Sequence, residues 1–344
     1  MAYWRPLWQL TLSRFREQLR QPEVLFWVFA FPLLLAVALG LAFRNRPPEV
    51  VRVAVEAGPG ADSMAALLDR AGGVRAAVEG PAQAAERLRK GSVTLVVVAG
   101  DPVVYRYDST RSESRLARLV TDDALQRALG RRDARVVADQ KVMAKGSRYI
   151  DFLIPGLLGL NLMGTGMWGM GYAVVDARKR KLMKRLLASP MRRSEYLASF
   201  IAARLVMLAP EVVLLLGFGV IAFGVPFRGS VGSVAVVVVI GAMCFAGLGL
   251  LTASRARTIE MVSGLMNLIM MPMWILSGVF FSSANFPAVM QPLIKALPLT
   301  ALNEALRAVI LDGASLGAVA APVALCAAWG VVSFAVALKI FRWL

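Results

Sequence analysis

Six apolar runs, each about as long as a membrane-spanning helix, decide what this chain can fold into. A helix needs about 20 apolar residues to cross a hydrocarbon core roughly 30 Å thick. The runs are residues 24–43, 152–175, 197–223, 230–253, 261–281 and 317–338. They predict an α-helical polytopic membrane protein with six transmembrane helices, and the mean hydropathy of +0.62 agrees with that class.

The residues between the first two runs have a different composition. Charged residues are frequent there, and valine-rich strands at 51–57, 94–99 and 103–107 alternate with short amphipathic helices. A longer basic helix over 112–145 is expected to return the chain to the membrane. This stretch predicts an inserted α/β domain with a modest core of its own.

The division of the chain follows from these patterns. Residues 1–22 carry large apolar residues, two of them tryptophans, at near-helical spacing and arginines on the remaining faces, which is typical of a helix lying in the membrane interface. The predicted parts are an interfacial helix at 1–22, a first span at 23–44, the α/β domain at 45–148 and five further spans within 149–344. A segment at 284–310 is expected to dip into the membrane without crossing it.

Positive charges on the short loops predict the orientation. With the N-terminus inside, the cytoplasmic segments 1–22, 176–196, 254–260 and 339–344 carry four, eight, two and two Lys or Arg residues. The short loops on the other side carry only Arg228, Lys295 and Arg307. Both termini are therefore predicted to be cytoplasmic, and 45–148 extracytoplasmic. Charge alone explains the cluster from Arg178 to Lys181.

The composition excludes several kinds of active site. The chain has no histidine, which excludes a Ser-His-Asp triad and a His-based metal site, and its two cysteines lie inside apolar runs. It also has no phosphate-binding loop of the Walker type. We predict no metal, no cofactor and no enzymatic activity of its own. The net charge is +17, and the basic residues that produce it cluster beside the apolar runs. Membrane lipids rather than nucleic acid are therefore the expected partners.

One carboxylate, Glu211, lies well inside a predicted span, where an ionised group is costly without a partner or water. Arg204 lies seven residues earlier, two turns away on the same helix face. Asn161 and Thr165, one turn apart on the second span, are further polar candidates. Arg204 and Glu211 form a structural pair, or the arginine snorkels beside a hydrated glutamate, or the two are a polar feature of a transport path or of a helix-helix contact. Asn161 and Thr165 line a cavity or form hydrogen bonds across helices. All four are candidates for the transport path or a dimer interface.

The loop at 176–196 contains an apolar ridge as well as its charges. Leu182, Met183, Leu186 and Leu187 fall on one face of a short helix, Lys184 and Arg185 project from another, and Pro190 ends it. Two interpretations remain open. The ridge docks in a groove of a partner protein, or it lies among lipid headgroups while the charges bind anionic lipid.

Three stretches of the sequence resemble a known family. They are "RKRKLMKRLLASPMRRSEYLASF" (178–200), "LSGVFFSSANFPAVMQPLIKALPLTALNEALRAVI" (276–310) and "VYRYDSTRSESRLARLV" (104–120). With the order of one span, an insert and five spans, the chain is similar to the membrane subunit of type-2 ABC exporters, the drug, lipid and polysaccharide permeases. Many relatives have an acidic residue and Gly-Thr before the Leu-Leu pair, whereas here Arg178–Lys181 stand there.

The resemblance implies a set of partners. The permease would pair with a second copy of itself, or with a similar permease, and would sit on a cytoplasmic ATP-binding subunit that holds the ATP and Mg. Residues 182–191 would form the coupling helix, 1–22 a connecting helix, and 284–310 a re-entrant pair. The residues expected to couple the two subunits are Leu182, Met183, Arg185, Leu186, Leu187 and Pro190.

The sequence thus predicts a permease subunit of an ATP-driven exporter in the bacterial cytoplasmic (inner) membrane. Its apolar interior favours a hydrophobic or amphiphilic substrate, such as a lipid or a drug, moved out of the cytoplasm or the inner leaflet. A polysaccharide is the alternative substrate. Alternative functions are a membrane sensor or scaffold that binds a ligand through the α/β domain, or a stand-alone secondary transporter. The latter predicts more paired intramembrane charges than this one pair and an internal inverted repeat, neither of which is evident.

Overall fold

A computed structural model describes residues 8, 11, 12, 15, 16, 20–43, 50–132, 135, 146, 148–179, 193–256 and 258–340, except the side chains of 193–201. The chain divides into two compact units. The first unit comprises Met1–Arg44 with Val142–Leu344, and the second comprises Asn45–Lys141. The predicted coupling helix at 182–191 and most of the interfacial helix at 1–22 lie outside the described residues.

Six of the described helices are long and apolar enough to cross a membrane, which confirms the predicted fold class. The helices in chain order are α1 (Pro22–Ala42), α2 (Ala61–Ala71), α3 (Pro81–Lys90), α4 (Ser112–Ala128), α5 (Tyr149–Lys179), α6 (Arg193–Phe223), α7 (Val231–Ala253), α8 (Ile259–Leu276), α9 (Gln291–Ala296), α10 (Pro298–Asp312) and α11 (Ala320–Ile340). The strands are β1 (Val51–Glu56), β2 (Val74–Glu79), β3 (Leu95–Val98) and β4 (Val104–Arg106). The six candidate spans are α1, α5, α6, α7, α8 and α11.

Helices α5 and α7 form the buried centre of the helical unit, and they meet through glycines. A methyl group added at Gly166 of α5 would lie 2.8 Å from Cβ of Phe245. One added at Gly249 of α7 would lie 2.7 Å from the carbonyl oxygen of Met167. Both distances are shorter than real carbon contacts allow, so only glycine permits the two backbones to approach this closely.

The segment after α8 folds back onto the helical unit. Helix α8 ends at Leu276 rather than at residue 281 as predicted, and Gly278, two residues later, has a positive φ of 68° that turns the chain. Two short 3₁₀ turns lead to α9 and α10, and α10 packs its mostly buried side chains against α5, α7 and α11. The depth of this segment in the membrane stays a prediction.

The second unit is a four-stranded sheet in the order β2-β1-β3-β4, with helices on both faces. β1 pairs in parallel with β2 and β3, and β4 is antiparallel to β3. Val55 and Val97 face one side and pack with Leu68 of α2 and Leu125 of α4. Ala54 and Val96 face the other side and pack with Ala84 of α3. The alternation along each strand therefore fills two separate small cores.

Two sequence-based expectations for this unit need correction. Strand β2 was not predicted, because its sequence "VRAAVE" has two central alanines that favour helix over strand, and pairing with β1 overrides that preference. The basic helix expected over 112–145 ends at Ala128. Gly130 has a positive φ of 96°, and the N–H of Arg131 donates to the Gln126 carbonyl at 2.9 Å, which closes the helix end.

A half-buried tyrosine, Tyr105, connects β4 to α4 in this unit. The Tyr105 hydroxyl donates to Oδ1 of Asp122 at 3.2 Å. Burial, with the negative charge and the hydrogen bond of Asp122, raises the pKa of Tyr105 to about 12. The hydroxyl therefore keeps its proton, and the hydrogen bond, throughout the physiological pH range.

Candidate functional site

Arg204 and Glu211 form a buried ion pair on α6, which is one of the arrangements that the sequence left open. Nη1 of Arg204 donates to Oε2 of Glu211 at 2.6 Å. The Glu211 side chain is wholly buried and that of Arg204 is 12% exposed. Seven residues make two helical turns, so both side chains project from one side of α6. A carboxylate held in this apolar surrounding is stabilised by its cationic partner.

The pair continues through two polar side chains of α5. The hydroxyl of Thr165 lies 3.2 Å from Oε1 of Glu211 and 2.7 Å from the carbonyl oxygen of Asn161. Because a hydroxyl carries a single proton, it donates to one of these acceptors at a time. Nδ2 of Asn161 donates in turn to the carbonyl oxygen of Val28 in α1, at 3.0 Å. The structure thus brings the four predicted side chains into one hydrogen-bonded group, hereafter the polar cluster.

A proline in α1 leaves the Val28 carbonyl, which the polar cluster contacts, without its usual helical donor. Pro32 has no N–H, so it cannot donate to the carbonyl of Val28 four residues earlier, as an ordinary helical residue would. Residues Phe26–Ala30 form a π-helical turn at this point. A π turn is common where the regular helical ladder is interrupted. The side-chain amide of Asn161 supplies a donor to that carbonyl, which connects α1 to α5 and α6.

The polar cluster leaves hydrogen-bonding capacity unused. Within the described parts of the chain, Nε and Nη2 of Arg204 are buried and have no acceptor. A buried donor without an acceptor is costly, and such groups are usually met by water or a ligand. The charges of Arg204 and Glu211 cancel. The cluster can therefore receive a hydrogen-bond acceptor, such as a phosphate, carboxylate or carbonyl oxygen, without a net charge of its own.

A second buried carboxylate, Asp151, is one that the sequence analysis did not single out. It is wholly buried at the start of α5 and forms an ion pair with Arg148, whose Nη2 donates to its Oδ1 at 2.8 Å. The backbone N–H groups of Gly146 and Arg148 donate to its other oxygen at 3.0 and 3.1 Å. The available signal was that Asp151 directly precedes an apolar run and lies three residues after Arg148. An acidic residue in the first turn of a helix stabilises the start of that helix.

Arg307 was also missed, because it was counted only as a loop charge. It lies in α10, where its guanidinium carbon is 3.6 Å from the centre of the Phe152 ring. Its Nε donates to the Phe152 carbonyl at 3.3 Å, and its Nη2 donates to the carbonyl of Gly278. Arg307 therefore fastens α10 to α5 and to the turn after α8. The available signal was the single arginine of a helix whose side chains are mostly apolar.

The residues predicted to couple the permease to an ATPase lie outside the described residues; they are Leu182, Met183, Arg185, Leu186, Leu187 and Pro190. Their role stays a prediction from the sequence. Among the residues that are described, no group of three or more His, Cys, Asp or Glu side chains lies close enough together to hold a metal ion.

The fold and the polar cluster define a class: a multi-pass helical membrane protein with a polar centre inside its helical unit. Comparison with known families is more specific. The model of the ABC-2 family transporter protein matches residues 22–339, so the chain belongs to the ABC-2 transporter family. This confirms the resemblance to type-2 ABC exporters at the level of the family, whose members are the membrane subunits of ABC transporters.

Two curated relatives are similar at low identity. The probable multidrug ABC transporter permease YbhR of Escherichia coli K12 is 25% identical over 165 residues, which are 48% of this chain and 45% of the relative. The linearmycin resistance permease protein LnrN of Bacillus subtilis 168 is 26% identical over 176 residues, 51% of this chain and 46% of the relative. The matched part thus spans a little under half of each relative. No solved structure matches the chain significantly.

Proposed function

We propose that this chain is the membrane-spanning permease subunit of an ATP-driven exporter. The observation that carries the proposal is the family match over residues 22–339, nearly the whole chain. Six candidate spans support it, because a transport path needs a helical unit that crosses the membrane. ATP and Mg would be bound by a separate cytoplasmic subunit, and the permease would pair with a second copy of itself or with a similar permease.

The substrate we propose is a hydrophobic or amphiphilic molecule, such as a lipid or a drug. The names of the two relatives, a multidrug permease and a linearmycin resistance permease, support a drug-like cargo. Export from the cytoplasm or the inner leaflet is the proposed direction. The proposed location is the bacterial cytoplasmic membrane, with both termini inside and residues 45–148 outside, as the positive charges of the loops indicate.

The polar cluster is the proposed polar element of the transport path. Nε and Nη2 of Arg204 offer two donors that no described residue uses. An amphiphile carries a polar end that must lose its water on entering the membrane interior, and unused donors offset that cost. Glu211 and Thr165 would hold Arg204 in place while its remaining N–H groups face the cargo. Asn161 would keep α1 fastened to this centre.

The coupling residues provide the test. Leu186→Asp places a charge on the apolar ridge that is proposed to dock in the ATPase groove, whereas Lys184→Asp places the same charge on another face of that helix. Leu186→Asp should abolish drug resistance conferred by the chain while ATP hydrolysis and the amount of folded permease persist. Lys184→Asp should retain more resistance. Full resistance in the Leu186→Asp variant would contradict the proposal.

A further inference from the structure

Arg178, in the last turn of α5, reaches across to the end of α7. Its Nη1 donates to the carbonyl oxygen of Ala253 at 3.3 Å and also to that of Ala256. Its Nη2 donates to the carbonyl oxygen of Ser254 at 3.2 Å. One guanidinium group therefore holds three backbone carbonyls at the point where α7 ends and the chain turns toward α8.

The chemistry of a helix end explains why an arginine is suited to this place. The last carbonyls of a helix have no N–H partner in the helix and carry a partial negative charge. Two neighbouring hydroxyl groups donate to other carbonyls near this end of α7. Thr252 donates to the Gly249 carbonyl at 2.8 Å, and Ser254 donates to the Leu251 carbonyl at 2.7 Å. The planar fork of Arg178 reaches several acceptors at once, which the single ammonium group of a lysine does less well.

Arg178 lies only a few residues before the predicted coupling helix in the chain. Helix α5 continues without a break to Lys179, so residues 176–179, which were predicted to begin the loop at 176–196, are helical. The predicted coupling helix at 182–191 follows shortly afterwards in the chain. Charge alone was expected to explain Arg178, and this expectation is wrong. The side chain is engaged with specific carbonyls, so it joins the entry of the loop to a second helix.

We propose that Arg178 is a positioning residue that fastens the start of loop 176–196 to the end of α7, so that α5 and α7 move as one body. The inference rests on the proposed function, in which the ATP-binding subunit displaces this loop. Helix α7 packs against α10, α11 and α5. Displacement of the loop would therefore reach α10 and α11 through α7, in addition to α6, into which the loop continues.

The test measures a distance across this contact. Spin labels on Lys179→Cys and Arg255→Cys, both at exposed positions, flank it, while Cys244 and Cys326 are buried and unreactive. The labelled permease is purified with its co-purifying ATP-binding subunit and measured by electron paramagnetic resonance with and without ATP. With Arg178 present, the distance should stay the same in both states. With Arg178→Gln, ATP should shift or broaden it by about 2 Å or more.

Two matched variants complete the experiment. Lys339→Gln removes a positive charge from an exposed position on the same predicted side, and it should behave like the parent. Arg178→Lys keeps the charge but loses the fork, and it should give an intermediate result even if Arg178→Gln does not fold. An unchanged distance in Arg178→Gln, or parent-like behaviour of Arg178→Lys when Arg178→Gln is unfolded, overturns the inference. If the parent retains no ATP-binding subunit, the proposed function fails instead, and the inference falls with it.

Discussion

The polar cluster places a buried ion pair inside the helical unit. Glu211 is wholly buried, and its charge is balanced by a single arginine at 2.6 Å. Breaking such a pair by removing one partner leaves an uncompensated buried charge, whereas removing both partners does not. The pair therefore contributes through mutual compensation rather than through either residue alone.

Glu211→Gln should destabilise the helical unit by about 3 kcal/mol, because it leaves the Arg204 guanidinium without a carboxylate. The double variant Glu211→Gln with Arg204→Met should recover most of that loss. Both effects are measurable as changes in the melting temperature of the purified protein in detergent. A single variant as stable as the parent, or a double variant no better than the single one, would contradict this account of the cluster.

The close contact between α5 and α7 depends on glycines, which have no side chain to hold the two helices apart. Gly166 faces the backbone of α7, whereas a methyl group added at Gly164, two residues earlier, would meet nothing within 4 Å. Glycine is therefore required at one position and not at the other. The two positions share one helix and one local sequence, so they separate the effect of packing from that of helix propensity.

Gly166→Ala should lower the stability of the helical unit by about 2 kcal/mol, because the added methyl group meets backbone atoms that cannot move aside. Gly164→Ala should be neutral or slightly stabilising, since alanine favours a helix over glycine. Melting temperatures of the two variants in the same detergent provide the comparison. Equal losses in both variants would show that helix packing at Gly166 is not the cause.

The sequence predicted those parts of the structure that depend on local spacing. Apolar length predicted the six spans, and a separation of seven residues predicted that Arg204 and Glu211 share a face. The sequence did not predict contacts between segments that are far apart in the chain. The Asn161 amide meets the Val28 carbonyl 133 residues away, and Arg178 meets carbonyls 75 to 78 residues away. No local pattern encodes which buried carbonyl an amide or a guanidinium will find.

The chain consists of a helical unit and an α/β unit inserted between its first two spans. The loops rich in lysine and arginine predict which side of the membrane each part occupies. In that arrangement the loops at 176–196 and 254–260 share the cytoplasm with any ATP-binding partner, and the α/β unit lies on the opposite side.

A membrane-impermeant thiol reagent tests this orientation on intact spheroplasts. A cysteine at Gln83, exposed on α3, should react, while a cysteine at Arg255, exposed after α7, should react only after the membrane is opened. The native Cys244 and Cys326 are buried and should remain silent in the unsubstituted control. The reverse pattern of labelling would contradict the predicted orientation.

If this chain works as the membrane subunit of an ATP-driven exporter, an ATP-binding subunit should stay bound to it. To test this, the tagged full-length chain is purified from the membranes of its own cells and the proteins that remain bound are identified. We expect an ATP-binding subunit in stoichiometric amount, with ATP hydrolysis that co-elutes with the permease. A folded, pure permease that retains no ATP-binding protein and no ATP hydrolysis would show that the chain is not such a subunit.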